Sequence, residues 1–282
     1  MDIFNLLKQY NLVGNNYNIY NIGARDNKDI IFYQCDKTKT IFVKADDYLS
    51  SDFYLNKKMD DYWNCRDSRQ EIVDSLRRAD QFLNFIYDKD ILDVGCGKGS
   101  FLKITKNYAK SVTGVEIQKE ASEKLRIYDI KVLNSVDEST QLFDSVFLFH
   151  VLEHISNPID FLERCYKKVK VGGYLIIEVP NPENLLLNVN VFRQFSMWSE
   201  HIILLSYKSI LKLLKLMSFN NIKLIQYNRY GLINNVRWLF YGQDYEKENN
   251  FQYLKFMNNL YTTTLRLIKR SDTLIFICQK KG

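Results

Sequence analysis

From residue 89 to 229, short apolar runs alternate with amphipathic stretches. The runs at 90–94, 111–116, 130–133, 144–149, 174–179 and 222–227 predict strands, and 273–279 predicts one more. At 144–149 the apolar positions become consecutive from Val146 onward, the pattern of a strand covered on both faces. Helical spacing of apolar residues predicts helices over 100–108, 118–128, 158–169 and 206–217. Pro158 suits a first helical turn, Gly172-Gly173 reads as the break after that helix, and Leu211, Leu214 and Leu216 are available to a core. Strands alternating with helices predict the α/β class with a doubly wound, mostly parallel sheet.

Two regions fall outside this rhythm. Residues 1–80 read as an N-terminal extension with an Asn/Tyr-rich start, a β-hairpin from 30–33 and 40–44, and a helix from about 68 to 87. Residues 81–282 read as the main domain, with 231–268 a helical insertion before the last strand. In that insertion Leu254, Met257, Tyr261 and Leu265 stand near helical spacing, which fits packing or a lid over a ligand mouth.

Composition narrows the class. Of 282 residues, 46% are hydrophobic and 26% charged, the balance of a globule and not of a disordered chain. The net charge of +6 is too small to call for nucleic acid. Cysteines stand at 35, 65, 96, 165 and 278 without a CxxC pair, which argues against a disulfide framework and for a reducing cytoplasm. No stretch of about 18 apolar residues predicts a membrane span, and the first residues lack the pattern of a signal peptide.

The first predicted strand runs into Asp93-Val94-Gly95-Cys96-Gly97-Lys98-Gly99-Ser100, and a helix follows. Glycines there let the chain bend tightly and let a ligand approach bare backbone. Two cofactor classes use such a turn. A dinucleotide seats its pyrophosphate on the helix N-terminus; S-adenosylmethionine has no phosphate and lays its ribose and methionine across the loop. Asp93 favours the second, because a carboxylate at the strand's end can hold an α-ammonium group. Ser100 stands where the dinucleotide motif wants Gly or Ala. Glu116 closes the next strand, 21 residues after Gly95, and can accept ribose hydroxyls in either class.

With these motifs in order, the chain resembles the class I S-adenosylmethionine-dependent methyltransferases over roughly 85–229 and 271–281. Residues 91–102 (Ile-Leu-Asp-Val-Gly-Cys-Gly-Lys-Gly-Ser-Phe-Leu) are similar to that family's first motif, and Val112-Thr113-Gly114-Val115-Glu116 to its second. Residues 143–155 resemble the fourth-strand motif of the small-molecule branch, and 172–181 the segment after it. The resemblance implies a Rossmann-like methyltransferase fold of seven strands, the last antiparallel, with S-adenosylmethionine as donor and S-adenosylhomocysteine as product. It implies that Asp93, Gly95, Cys96 and Gly97 line the methionine and ribose, and that Glu116 takes both ribose hydroxyls. It places Ile117 on the adenine, Ser135 and Val136 at the adenine edge, and Phe149 and His150 beside the reactive methyl. Tyr62, Trp63, Arg66 and Arg69 are the extension's candidates for the methionine pocket. The turn at 33–38 is similar to a zinc-ribbon knuckle found ahead of some of these enzymes. Thr38 stands where its second cysteine would be, and a structural zinc needs four ligands, so no metal is expected.

Methyl transfer is an in-line displacement for which the protein mainly aligns the partners. A sugar hydroxyl must also lose its proton, and a positioned base contributes about 10²–10⁴-fold. His154, just past the fourth strand, and His201, after Trp198-Ser199-Glu200, are the candidate catalytic bases. His150 is assigned to the cofactor pocket, and Glu153 is read as a solvated carboxylate. Nucleic-acid amino-methyltransferases of this fold carry Asn/Asp-Pro-Pro-aromatic where this chain has Phe149-His150-Val151-Leu152, so no nucleic-acid partner is expected. The 231–268 insertion and the trailing Ser271-Asp272-Thr273-Leu274 resemble methyltransferases of bacterial surface-polysaccharide pathways. That implies a small-molecule, carbohydrate-linked acceptor: a sugar or nucleotide-sugar hydroxyl first, an amine or phosphate-linked group of such a glycan second. A nicotinamide oxidoreductase and a cofactor-binding domain without catalysis are the remaining alternatives.

Overall fold

The computed structural model describes residues 2–44, 68–242 and 252–282, the side chains of 68, 69 and 252–254 excepted. Its large sheet is built from β4 (Asp90–Val94), β5 (Ser111–Val115), β6 (Lys131–Leu133), β7 (Phe143–Phe149), β8 (Val169–Pro180), β10 (Phe219–Tyr227) and β11 (Thr273–Lys280). The order is β10-β11-β8-β7-β4-β5-β6. Strands β4 to β8 pair in parallel, and β11 runs antiparallel to both β8 and β10. This is the doubly wound, seven-stranded, mostly parallel sheet that the sequence predicts.

Alternation along each strand feeds two separate cores. Leu92, Val94, Val146, Leu148, Leu175 and Ile177 face one, and Ile91, Phe147, Phe149 and Ile176 the other. The first core is closed by α5 (Pro158–Lys168) through Phe161, Leu162 and Cys165, and by α7 (Tyr207–Leu216) through Ile210, Leu213 and Leu214. The second is closed by Ala79 of α2 (Ser68–Gln81), by Phe101 and Leu102 of α3 (Ser100–Thr105), and by Leu125 of α4 (Lys119–Arg126). Asn157 caps α5 by accepting the Asp160 N–H at 3.1 Å, and Pro158 occupies the first turn as expected.

The N-terminal region builds a second, antiparallel sheet. The predicted hairpin forms between β2 (Ile31–Cys35) and β3 (Ile41–Phe42), which pair Tyr33 with Phe42. The Asn/Tyr-rich start, to which the pattern assigns no element, supplies α1 (Ile3–Gln9) and β1 (Tyr17–Ile22). The fourth strand, β9 (Ile203–Leu204), comes from far along the chain and pairs with β3. Ile3, Leu7, Phe32, Ile41 and Phe42 are at most 1% exposed and join the first core of the large sheet. Each such burial contributes roughly 1.5–3 kcal/mol.

One boundary differs from expectation. Strand β8 begins at Val169, so Gly172-Gly173 lie inside it and do not end a helix. The pairing with β7 shifts register between Phe143 and Ser145, and a Cβ on Gly173 would come 2.8 Å from the Asp144 carbonyl oxygen. The two glycines accommodate an irregular stretch of strand, a role that sequence alone does not separate from helix breaking. Between β10 and β11 stand α8 (Leu232–Tyr241) and α9 (Gln252–Leu267). Trp238 is buried against Leu186, Leu187 and Phe192 of the segment after β8, and that segment ends in α6 (Asn190–Ser196). Thr262 and Leu265 turn inward from α9, while Met257 is 39% exposed. No helix among the described residues is long and apolar enough to cross a membrane.

Candidate active site

The carboxyl ends of β4 and β5 hold the glycine-rich turn. Gly95, Gly97 and Gly99 take φ of +74°, +54° and +67°, a region that side chains resist. The Gly95 and Cys96 N–H groups both donate to the Val115 carbonyl, at 2.8 and 3.1 Å, which straps the turn to β5. Glu116 Oε2 accepts the Gly97 N–H and Oε1 the Gln118 N–H, each at 2.9 Å. Turn and acid therefore hold each other in place. A Cβ on Gly99 would lie 2.3 Å from Leu125 Cδ2, so that glycine also lets α4 pack closely.

Asp93 is 3% exposed at the end of β4. Desolvation raises its carboxyl from an ordinary 3.8 to about 7; Arg78 opposes the rise and Glu116 adds to it. Burial likewise raises Glu116, against three backbone hydrogen bonds. Burial, then Asp93 and Glu116, push the Cys96 thiol well above its usual range, which removes it as a nucleophile. Ile117 is 42% exposed just beyond. Ser135, after β6, accepts the Asp137 N–H at 3.2 Å, and Val136 is buried in the core. The structure thus gathers Asp93, Gly95, Cys96, Gly97 and Glu116 around one turn. Ile117, Ser135 and Val136 lie at the neighbouring strand ends.

The end of β7 is an ionic cluster that the sequence did not disclose. His150 has φ +57°, and its N–H donates to the Glu178 carbonyl at 2.8 Å. Its Nδ1 is 3.0 Å from Glu153 Oε1 and its Nε2 is 3.4 Å from Glu178 Oε1. Burial alone would lower its pKa, but the two carboxylates outweigh burial and raise it. Glu178 also receives Arg77 at 2.9 Å and Arg78 at 2.7 Å from α2. Burial works against its charged form, yet Arg78, His150 and Arg77 hold its carboxyl well below the usual range. Phe149 stacks on Phe82 and Phe147 and meets Phe101 edge to face, with the Arg78 guanidinium 4.4 Å above its ring.

Glu153 corrects an expectation. Read as solvated, it is 2% exposed, because the turn Leu152–His154 folds Leu152 and Glu153 inward together. Arg77, Arg78 and Glu178 escaped the sequence reading altogether. Their signal was present: a glutamate inside the apolar run Ile176-Ile177-Glu178-Val179 must be paired to be buried.

The two candidate bases meet. The rings of His154 and His201 lie 4.9 Å apart, edge to face. His154 Nδ1 is 3.1 Å from the Glu200 carbonyl oxygen. A carbonyl only accepts, so the network assigns the proton to Nδ1 and the lone pair to Nε2. The N-terminal region holds the segment that carries His201. Asp26 accepts the Ser199 N–H at 2.9 Å and its hydroxyl at 2.7 Å. Arg25 sits over the Phe195 and Trp198 rings at 4.5 and 4.7 Å, and the Val43 N–H donates to the Ile202 carbonyl at 2.9 Å. Tyr62, Trp63 and Arg66 lie outside the described residues, as does the Arg69 side chain.

The turn suits an adenosyl sulfonium. Asp93 is a buried carboxylate with no hydrogen bond from the described residues, matched to an α-ammonium group. Glu116 could take ribose hydroxyls, and Gly97 presents bare backbone to a ligand; at Gly95 the space a Cβ would fill is taken by Val151, 2.6 Å away.

A family profile described as a methyltransferase domain matches residues 66–224, more than half of the chain. Curated relatives include the ubiquinone biosynthesis O-methyltransferases of Shewanella halifaxensis, 30% identical over 117 residues (38% of this chain and 50% of that one), and Proteus mirabilis, 30% over 107 residues (34% and 44%). The chain spans about half the length of the curated relatives it matches. Among solved structures, an S-adenosylmethionine-dependent methyltransferase from Archaeoglobus fulgidus aligns with a TM-score of 0.55 at 20% identity, over 75% of this chain and 94% of that one. Haemonchus contortus phosphoethanolamine N-methyltransferase 2, in complex with S-adenosyl-L-methionine, aligns at 0.50 with 16% identity, over 74% and 52%. At these identities the structural likeness speaks for the fold, and the profile speaks for the family. The chain belongs to the methyltransferase domain family.

Proposed function

We propose that this enzyme methylates a hydroxyl of a small polar acceptor, a sugar or nucleotide-sugar destined for cell-surface polysaccharide. The observation that carries the hydroxyl reading is the pairing of His154, just past β7, with His201, just before β9; β7 is the strand beside β4, which leads into the glycine-rich turn. An unprotonated amine needs no base; a hydroxyl does. The curated relatives are named as O-methyltransferases, which supports the same chemistry. The sugar rests on the resemblance of the 231–268 insertion and of 271–274 to polysaccharide-pathway enzymes. A cytoplasmic setting belongs to the proposal and is supported by the free cysteines Cys35, Cys96, Cys165 and Cys278.

When bound, S-adenosylmethionine supplies a methyl group on a sulfonium, and its loss leaves a neutral thioether. Asp93 holds the ammonium end and Glu116 the ribose. His154 Nε2 or the His201 ring takes the hydroxyl proton as the acceptor oxygen becomes nucleophilic. His150, clamped between two carboxylates that raise its pKa, favours the charged form and places positive charge at the end of β7.

The test is mass spectrometry of nucleotide sugars, glycan fragments and simple phenols after incubation with labelled donor. Methyl gain on a sugar hydroxyl is expected. Gain only on an amine, a phosphate-linked group or a phenol would overturn the sugar assignment. With the true acceptor, His154→Ala and His201→Ala are expected to lower kcat, one of them by about 10²-fold or more.

A further inference from the structure

We infer that Glu153, His154 and His201 form a binding site for a divalent cation. One ligand atom from each lies within 4.8 Å of the other two. Bonds of 2.0–2.1 Å to a tetrahedral ion put ligand atoms about 3.3 Å apart, so the three side chains must draw in by up to about 1.5 Å.

Two further observations point to a ligand. Glu153 is 2% exposed, and its Oε1 is taken by His150 Nδ1 at 3.0 Å. Its Oε2 is buried and has no hydrogen-bond partner among the described residues. Leaving such an oxygen unsatisfied costs roughly 1–3 kcal/mol or more, and a bound cation would remove that cost. The second observation is the His154 tautomer. Donation from Nδ1–H to the Glu200 carbonyl fixes the ring and presents the Nε2 lone pair, the arrangement that metal-binding histidines adopt.

Two imidazoles and a carboxylate suit first-row divalent ions, Zn²⁺ among them, and leave positions open for an oxygen ligand. The set differs from the cysteine knuckle on which the expectation of a metal-free chain rested. It stands whether or not the acceptor is a sugar, since cation binding belongs to the enzyme without acceptor.

The experiment uses the untagged full chain, stripped with chelator, dialysed and titrated with Zn²⁺ by calorimetry; Co²⁺ is added to a second sample and followed by visible absorption. One saturable equivalent is expected, with a ligand-field spectrum for Co²⁺. Glu153→Gln and His154→Ala are each expected to weaken Zn²⁺ by roughly 100-fold or more. Affinity for S-adenosylhomocysteine, measured on the same samples, reports that each variant is folded. Should Glu153→Gln lose that affinity, Glu153→Asp and His201→Ala take its place. No saturable Zn²⁺ uptake, or uptake unchanged when His154 and His201 are both alanine, overturns the site. Saturable uptake would take up the imidazole lone pairs and pass activation of the acceptor hydroxyl from the histidines to the ion, acting as a Lewis acid; methyl transfer itself is tested separately, by product mass.

Discussion

Burial at the end of β4 holds the Asp93 carboxyl near 7, inside the working range of most enzymes. Its folded value lies above the unfolded one, so its contribution to stability is fully present below about pH 4 and is lost as pH rises through 7. Donor binding has the opposite sign, because an ammonium group needs the carboxylate. Affinity for S-adenosylhomocysteine is expected to rise between pH 6 and 8, by up to about tenfold per unit below pH 7. Calorimetry across that window checks it, and Asp93→Asn should weaken binding and flatten the profile. A flat profile in the unaltered enzyme would show that Asp93 does not carry the ammonium. Asp93, the glycines and Glu116 were legible in sequence because they follow one another along a single strand, turn and strand. Glu153 and Glu178 were not, since the side chains that allow their burial come from other elements.

Helix α2 shows that dependence at the next scale. It brings Arg77 and Arg78 onto Glu178, and Glu178 in turn braces His150. Removing one partner leaves the others buried and uncompensated, so Glu178→Gln is expected to cost about 3–5 kcal/mol in urea unfolding at pH 7. Its carboxyl is held below its unfolded value. The contribution is therefore present above about pH 4.5 and fades as pH falls through the folded value. The gap between the unaltered enzyme and the variant should narrow in acid; a gap independent of pH would mean that packing, not charge, sets the loss. Gly99→Ala tests the turn from the other side. Its left-handed backbone and the nearness of Leu125 predict a loss of about 2–4 kcal/mol, read as a lower urea midpoint. Strand and helix identities were legible from periodicity through this whole region. The irregular start of β8 was not, because glycine pairs end helices and loosen strands alike.

Over the whole molecule, the N-terminal sheet and the cofactor sheet share one core, and Asp26 ties the first to the segment bearing His201. Asp26→Ala is expected to lower kcat by about tenfold or more through a misplaced His201. S-adenosylhomocysteine affinity should change less than about twofold, since the cofactor turn is anchored separately on β5. Parallel losses of both would mean that the substitution merely unfolds the chain. The union of β3 with β9 left no trace in the sequence pattern: two-residue strands have no measurable period, and nothing local records so distant a partner.

That distant partnership sets an order of events during synthesis. A ribosome adding about 5–20 residues per second makes Phe42 roughly 10–30 seconds before the strand that completes its sheet. Throughout that interval the nascent chain carries an unpaired strand edge at Ile41 and Phe42, two side chains that are fully buried once the sheet is complete.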